Sequence, residues 1–287
     1  MEIVKDPVQM GRLAKEWRVR GEKIALVPTM GYFHEGHLSL MRYGREAAAH
    51  LVVSLFVNPT QFGPNEDLAR YPRDLKRDAA LAQEVGVDVL FTPPAAAMYP
   101  EGYQTYVTVE ELSRGLCGAS RPGHFRGVAT VVLKLLNQVQ PDLAVFGEKD
   151  YQQLQVIRRL VADLDVPVEI IGRPIVREGD GLAMSSRNTY LSPEERDAAL
   201  CLFRALKAAR ELVLSGAKSR ESIMEAVMGI ITATPHTKID YVALVHPDTL
   251  QEIDIIDNEA RLALAVWVGK TRLIDNTLLA ESRLCYV

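Results

Sequence analysis

Cysteine is scarce in this chain. Cys117, Cys201 and Cys285 are the only three in 287 residues, far apart and in no C-x-x-C spacing. That spacing excludes a disulfide framework or a cysteine-built zinc site and suits a reducing compartment. Neither sign of charge dominates: 33 Lys and Arg face 37 Asp and Glu, a formal net charge of −4. Without a basic excess, general attraction to nucleic acid or to an anionic membrane is not expected, and any anion must be held locally. Long apolar runs are missing too. Leu51–Val57 and Leu262–Val268 span seven residues each, whereas a bilayer-crossing helix needs about 20. The first residues, Met-Glu-Ile-Val-Lys-Asp, show no basic stretch leading into an apolar one, so no signal peptide is expected. These absences point to a soluble cytoplasmic protein with neither nucleic acid nor membrane as partner.

What is present has an order. At about 150 residues per domain, the length suggests one large domain or two smaller ones. Up to about residue 175, short Val/Ile-rich runs (Ile24–Thr29, Leu51–Val57, Val87–Phe91, Leu143–Phe146, Val168–Ile171) alternate with helical spacing over Leu38–Ala49, Asp67–Glu84, Gly127–Val139 and Tyr151–Leu164. Such alternation predicts βαβ units and a mainly parallel sheet, with ligands beyond the C-terminal ends of its strands. After Gly179-Asp180-Gly181 the pattern changes. Ser192-Pro193-Glu194-Glu195 reads as a helix start running to about Leu214, and a second helix covers about Ser219–Ala233. Strands follow at Ile239–Val245 and Arg261–Val268. The fold class is therefore α/β, a doubly wound parallel sheet over residues 1–177 and a smaller α+β domain over 178–287.

The strand ends carry the chemistry. The first run ends in Pro28-Thr29-Met30-Gly31, and His34-Glu35-Gly36-His37 stands just before a helical pattern. Free N–H groups at a helix start attract phosphate, and imidazoles there can stabilise charge developing on it. Surface histidines are the plainer alternative. A zinc motif would need H-E-x-x-H, which this is not. Asn58-Pro59-Thr60-Gln61 after the second run offers neutral amides for hydroxyls or a carboxylate, or an ordinary turn. Arg121–Gly127 is either a basic anion site or a solvated loop. Gly147-Glu148-Lys149-Asp150 combines close backbone approach, a cation for phosphate and a carboxylate for ribose, and as a bare run is equally a charged turn. Met184-Ser185-Ser186-Arg187 supplies two hydroxyls and a guanidinium suited to a triphosphate, although as a bare tripeptide Ser-Ser-Arg is common in flexible loops and kinase sites.

Six segments spread from residue 28 to 276 carry a resemblance: PTMGYFHEGHLSL, VSLFVNPTQF, YPRD, RPGHFRGVATVVLKLLNQVQPDLAVFGEKDYQQL, DGLAMSSRNTYLS and RLIDN. They resemble the pantoate–β-alanine ligase family of the H-x-G-H nucleotidyltransferases. Tyr32-Phe33 departs from it, being bulkier than the small residue usual after PTMG. The resemblance implies a Rossmann-like first domain with a smaller C-terminal domain closing over the nucleotide. It further implies ATP-dependent condensation of (R)-pantoate with β-alanine through a pantoyl adenylate, giving pantothenate, AMP and pyrophosphate. Residue by residue, it implies ATP binding by Met30, Gly31, Tyr32, Phe33, His34, Glu35, Gly36, His37, Gly147, Glu148, Lys149, Asp150, Val176, Met184, Ser185, Ser186 and Arg187. Of these, His34, His37, Lys149, Ser185, Ser186 and Arg187 are the catalytic candidates, with His37 as proton donor. Gln61 and Gln153 are the pantoate contacts, and Gln61 also borders β-alanine. ATP is a substrate accompanied by Mg²⁺, with no dedicated protein metal site, and the expected assembly is a homodimer. Two rivals stay open: another H-x-G-H nucleotidyltransferase, which has no need of Gln61 and Gln153, and a nucleotide-binding module without turnover.

Overall fold

Strands that are apolar throughout need cover on both faces. The computed structural model describes residues 1–64 and 66–280, so Cys285 lies outside the described residues. In chain order the elements are β1 (Glu2–Val4), α1 (Pro7–Val19), β2 (Ile24–Thr29), α2 (Glu35–Ala47), β3 (His50–Leu55), α3 (Leu75–Val85), β4 (Val89–Phe91), two single-turn helices α4 (Ala95–Met98) and α5 (Cys117–Ser120), α6 (His124–Val139), β5 (Leu143–Gly147), α7 (Tyr151–Asp163) and β6 (Glu169–Arg173). The six strands form one parallel sheet in the order β1-β4-β3-β2-β5-β6. Ile24, Ala25, Leu26 and Val27 of β2 and Leu51, Val52 and Val53 of β3 are fully buried. Ala25, Val27, Leu51 and Val53 share one apolar cluster with Leu40 and Met41 of α2 and Ala82 of α3. Winding changes direction between β2 and β5, and the crevice at the C-terminal ends of such a pair is where an open α/β sheet holds its ligands.

The chain divides into two compact units. Among the described residues, the first contains 1–114, 121–148 and 153–176; the second contains 115–120, 149–152 and 177–280. In the second unit, α8 (Pro193–Leu214) and α9 (Arg220–Thr232) precede β7 (Thr237–Val245), β8 (Glu259–Val268) and β9 (Thr271–Ala280), an antiparallel sheet in sequence order. Leu262, Leu264, Val266 and Val268, alternate residues of β8, share a core with Leu202 and Leu206 of α8 and Ile223 and Val227 of α9. Ser192 and Glu195 form the capping box that starts α8: the Glu195 N–H donates to Ser192 Oγ at 3.2 Å and the Ser192 N–H donates to Glu195 Oε2 at 3.0 Å.

Two short excursions from the first 177 residues are bonded into the second unit. Ser120 Oγ donates to Asp240 Oδ2 at 2.8 Å, and Asn276 Nδ2 donates to the Lys149 carbonyl at 3.0 Å. Arg261 donates to Asn276 Oδ1 at 3.0 Å and lies 3.8 Å from the centre of the Tyr151 ring. Nothing in local composition signals these long-range attachments.

The structure also differs from the sequence reading in its elements. The helical spacing over Asp67–Glu84 is interrupted: a single 3₁₀ turn at Asp67–Ala69 is followed by a break, and α3 begins only after Asp74. Pro72 disfavours a helical residue before it, and the Asp74 side chain accepts from the Arg77 N–H at 3.0 Å, which fixes a new start. β1, α1 and β9 are additional. Helix α1 has its own entry signal, since Asp6 accepts from the Val8 N–H at 2.9 Å and Pro7 follows it.

One glycine shows how tightly the sheet's edge is assembled. A Cβ on Gly127, in the first turns of α6, would lie 2.4 Å from the Thr60 carbonyl oxygen and 2.7 Å from the Gln61 nitrogen. Both are backbone atoms that no rotamer change can remove. Gly127→Ala should therefore cost about 1–3 kcal/mol of stability, read from the urea midpoint. An unchanged midpoint would mean that the 59–61 turn shifts freely.

Candidate active site

The loop from β2 to α2 is shaped by an unusual backbone path. Gly31 has φ of +85° and Tyr32 has φ of +54°, so the chain makes a left-handed turn that its second residue adopts only under constraint. The constraint is Asp78 of α3, 1% exposed, whose two carboxylate oxygens accept from the Tyr32 N–H at 2.6 Å and the Phe33 N–H at 2.8 Å. Burial pushes the Asp78 carboxyl above its ordinary range, and the two N–H bonds, with Phe33 the larger, pull it back without cancelling. Phe33 is fully buried beneath the loop.

His34 is then the residue before the first turn of α2, and His37 lies one turn on. Their ring centres are 4.1 Å apart. The His34 backbone N–H donates to His37 Nδ1 at 3.3 Å. A backbone N–H can only donate, so the neutral His37 ring carries its proton on Nε2. An N–H donor is thereby set at the positive end of a helix. Glu35 pairs with Arg42 along the same helix.

The end of β3 is organised by an amide. Asn58, 1% exposed, accepts at Oδ1 from the Thr60 N–H (3.3 Å), the Thr60 hydroxyl (2.9 Å) and the Tyr99 hydroxyl (2.9 Å). Its Nδ2 donates to the Gly127 carbonyl and to Gln61 Oε1, each at 3.1 Å. Gln61 Nε2 lies 3.2 Å from Met30 Sδ. The Gln61 carbonyl accepts from His124 Nδ1 at 2.8 Å, while Arg121 donates to Glu66 at 2.5 and 2.8 Å. Burial raises the Glu66 carboxyl, but the hydrogen bonds and charge of Arg121 outweigh it and hold the group below its ordinary value. Between the two readings open for Arg121–Gly127, the structure shows a half-buried guanidinium neutralised by its own carboxylate.

β5 ends at Gly147, Glu148 starts a 3₁₀ turn, Gln153 lies in the first turn of α7, and Val176 follows β6. With Met30 to His37 and Gln61, these residues belong to the first unit. Lys149, Asp150, Met184, Ser185, Ser186 and Arg187 belong to the second. Lys149 Nζ is 3.7 Å from Asp150 Oδ2. Ser185 Oγ accepts from the Arg187 N–H at 3.3 Å and opens a 3₁₀ turn over Ser186–Tyr190, in which Ser186 is buried. Asn188 ties this turn down through Glu178 Oε1 at 2.7 Å and the Ala183 carbonyl at 3.1 Å. The other Glu178 oxygen accepts from Arg196 at 2.8 Å. Beneath the loop, Arg177 makes paired bonds of 2.6 and 3.0 Å to the buried Asp275. Burial pushes Asp275 up, and the hydrogen bonds and charge of Arg177 oppose it.

The structure thus joins His34 to His37 and Gln61 to Met30 within the first unit, and groups Ser185, Ser186 and Arg187 on one braced turn within the second. Three supporting residues escaped sequence reasoning: Asp78, Tyr99 and Glu178. Each acts through side-chain bonds to residues well along the chain, although the family segment YPRD ends four positions before Asp78 and DGLAMSSRNTYLS begins two positions after Glu178.

Comparison with known proteins identifies the family. Residues 2–278 match the family model of pantoate–β-alanine ligase. The pantothenate synthetase of Syntrophus aciditrophicus is 56% identical over 281 residues, covering 98% of each chain. That of Geobacter sulfurreducens is 55% identical, covering 99% of this chain and all of its own. The crystal structure of the Thermus thermophilus pantothenate synthetase superposes with a TM-score of 0.92 at 49% identity, covering 96% of this chain and 99% of that one. A Francisella tularensis pantoate–β-alanine ligase, crystallised with βγ-ATP and β-alanine, superposes with a TM-score of 0.80 at 35% identity and covers 97% of each chain.

The two buried carboxylates separate experimentally. Asp78→Asn replaces one acceptor oxygen by a donor facing a backbone N–H, and should cost about 1–3 kcal/mol in chemical denaturation; an unaltered free energy would show that the Tyr32 turn holds itself. Arg177→Met leaves Asp275 buried without its partner and should cost about 3–5 kcal/mol, largely recovered in Arg177→Met/Asp275→Leu. A double variant as weak as the single one would place the loss elsewhere.

Proposed function

The chain belongs to the pantoate–β-alanine ligase family, and from that premise we propose how its own residues share the reaction. The enzyme condenses pantoate with β-alanine in two steps. A pantoate carboxylate oxygen bonds to the α-phosphorus of ATP as the bond to pyrophosphate breaks, giving pantoyl adenylate. The β-alanine nitrogen then bonds to the acyl carbon, AMP leaves with the electron pair of the C–O bond, and the nitrogen loses a proton. A free carboxylate is a poor acyl donor, so the first step exists to attach a leaving group. Both steps depend on positioning and on stabilising charge at phosphate oxygens.

In this reading His34 and His37 contact the phosphates, and His37 donates from Nε2 to the oxygen that gains charge as pyrophosphate departs. Lys149, Ser185, Ser186 and Arg187 hold the triphosphate and its transition state. Gly147 and Asp150 meet the ribose, while Val176 and Met184 line the adenine. Gln61 and Gln153 grip pantoate, and Gln61 borders the β-alanine. The observation that carries the assignment is the bond from the His34 N–H to His37 Nδ1, which leaves the proton on Nε2 at the positive end of α2. Mg²⁺ suits this site as a nucleotide complex. It keeps water and takes phosphates with only one or two carboxylates. The family resemblance supports a homodimer, and three scattered cysteines suit a reducing compartment such as the cytoplasm.

Pantoate-dependent exchange of pyrophosphate into ATP isolates the first step. His37→Ala should slow that exchange by about 10²–10³-fold, the size of losing one preorganised transition-state donor. Exchange at the wild-type rate would remove His37 from the chemistry. AMP should appear at the full rate only when ATP, pantoate and β-alanine are all present.

A further inference from the structure

Tyr99, the residue after α4, has no part in the reaction as assigned above. Its hydroxyl nevertheless ends a chain of hydrogen bonds that reaches Gln61. Backbone groups fix the direction of that chain. The Thr60 N–H can only donate, so the Asn58 atom it meets at 3.3 Å is the oxygen. The Gly127 carbonyl can only accept, so the atom it meets at 3.1 Å is the Asn58 nitrogen. That nitrogen has one hydrogen left, and it points at Gln61, 3.1 Å away, whose facing atom is therefore the oxygen Oε1. The Gln61 amide cannot turn over without setting N–H against N–H. Its remaining face, Nε2, carries only donors and meets the weakly accepting Met30 sulfur at 3.2 Å.

We propose that Tyr99 is a positioning residue that holds this relay in place, so that Gln61 presents N–H donors, and never an acceptor, to an oxygen of the acid substrate. The proposal rests on the reading of Gln61 as a pantoate contact. Three donors converge on Asn58 Oδ1, and of the three only Tyr99 comes from a distant part of the chain, 41 residues on. The Tyr99 ring is itself aimed. It meets Tyr103 edge-on at 5.1 Å, and Tyr103 meets Tyr106 in the same way at 5.4 Å. Lys134 Nζ sits 4.8 Å from the centre of the Tyr103 ring and 5.8 Å from that of Tyr99, and the Arg126 guanidinium is 3.7 Å from the centre of Tyr106. Burial keeps the Tyr99 phenol above its ordinary pKa, so it remains a donor across the neutral range.

The test is a double-mutant cycle in the exchange assay. Tyr99→Phe removes one hydroxyl and keeps the ring. It should raise the KM for pantoate about three- to tenfold while the KM for ATP stays within about twofold. Once Gln61 is gone the relay has nothing to aim, so Tyr99→Phe added to Gln61→Ala should change the pantoate KM by less than about twofold. Full effects that multiply, or a loss shared equally with ATP, would make Tyr99 a packing residue and overturn the proposal. Gln61→Glu gives a reading of polarity independent of Tyr99. It keeps an oxygen facing Asn58 but sets a second one toward the substrate, and should bind pantoate more weakly than Gln61→Ala; equal or tighter binding would overturn the donor assignment. If Gln61→Ala leaves the pantoate KM unchanged, the pantoate reading of Gln61 fails first; if it raises KM but Tyr99→Phe does not, the relay alone fails.

Discussion

A single buried carboxylate sets the geometry on which the histidines depend. Asp78 accepts two consecutive N–H groups, those of Tyr32 and Phe33, and so holds a left-handed turn between β2 and α2. Through that turn, the direction in which β2 leaves the sheet becomes the direction in which α2 begins. The two imidazoles inherit their positions from it. The cost of burying a charge is met locally by N–H dipoles rather than by a full counter-charge, since Arg77 approaches only to 3.7 Å.

A buried neutral amide is saturated in a comparable way. Asn58 commits its oxygen to three donors and its nitrogen to two acceptors, and this saturation gives a neutral amide a defined direction. The cations behave alike. Arg121 is matched by Glu66, Arg177 by Asp275, Arg196 by Glu178 and Asp180, and Arg272 by Asp240. A formal charge of −4 therefore says little about where positive charge is available to a ligand. Position after a strand says more.

Legibility varied with the range of the interaction. Ile24–Thr29 reads correctly as a strand because its apolar run is buried from Ile24 to Val27, and α8 reads correctly because its capping box lies within four residues. His34 and His37 drew notice because they follow a strand and precede a helical pattern, the position where an open α/β sheet holds ligands, and Ser185–Arg187 because of its two hydroxyls and guanidinium; the roles given to them are proposals. The Asp67–Glu84 segment misled because helical spacing persists on both sides of Pro72, whose disfavour for a preceding helical residue was outweighed by that spacing, and the Asp74 cap then fixes where the helix starts. β9 went unread beside the stronger signal of β8, with which it pairs along its whole length. Asp78, Tyr99 and Glu178 were not recognised at all. Their partners stand 45, 41 and 18 residues away, and side-chain bonds at such separations leave no periodic trace.

The two excursions that join the second unit carry a consequence for how the chain folds. Ser120 meets Asp240 across 120 residues, Lys149 meets Asn276 across 127, and Cys117 lies 3.5 Å from the Arg272 guanidinium across 155. During synthesis these early segments leave the ribosome long before the strands that receive them. The parallel sheet can close around β1 to β6 while they wait, but the antiparallel sheet completes its contacts only when nearly the whole chain is out. High sequence separation slows such steps, because loop closure must come before the contacts that reward it. The order of maturation is thereby written into the topology, with the sheet that carries the histidines able to form first and the unit that carries Lys149 finishing last.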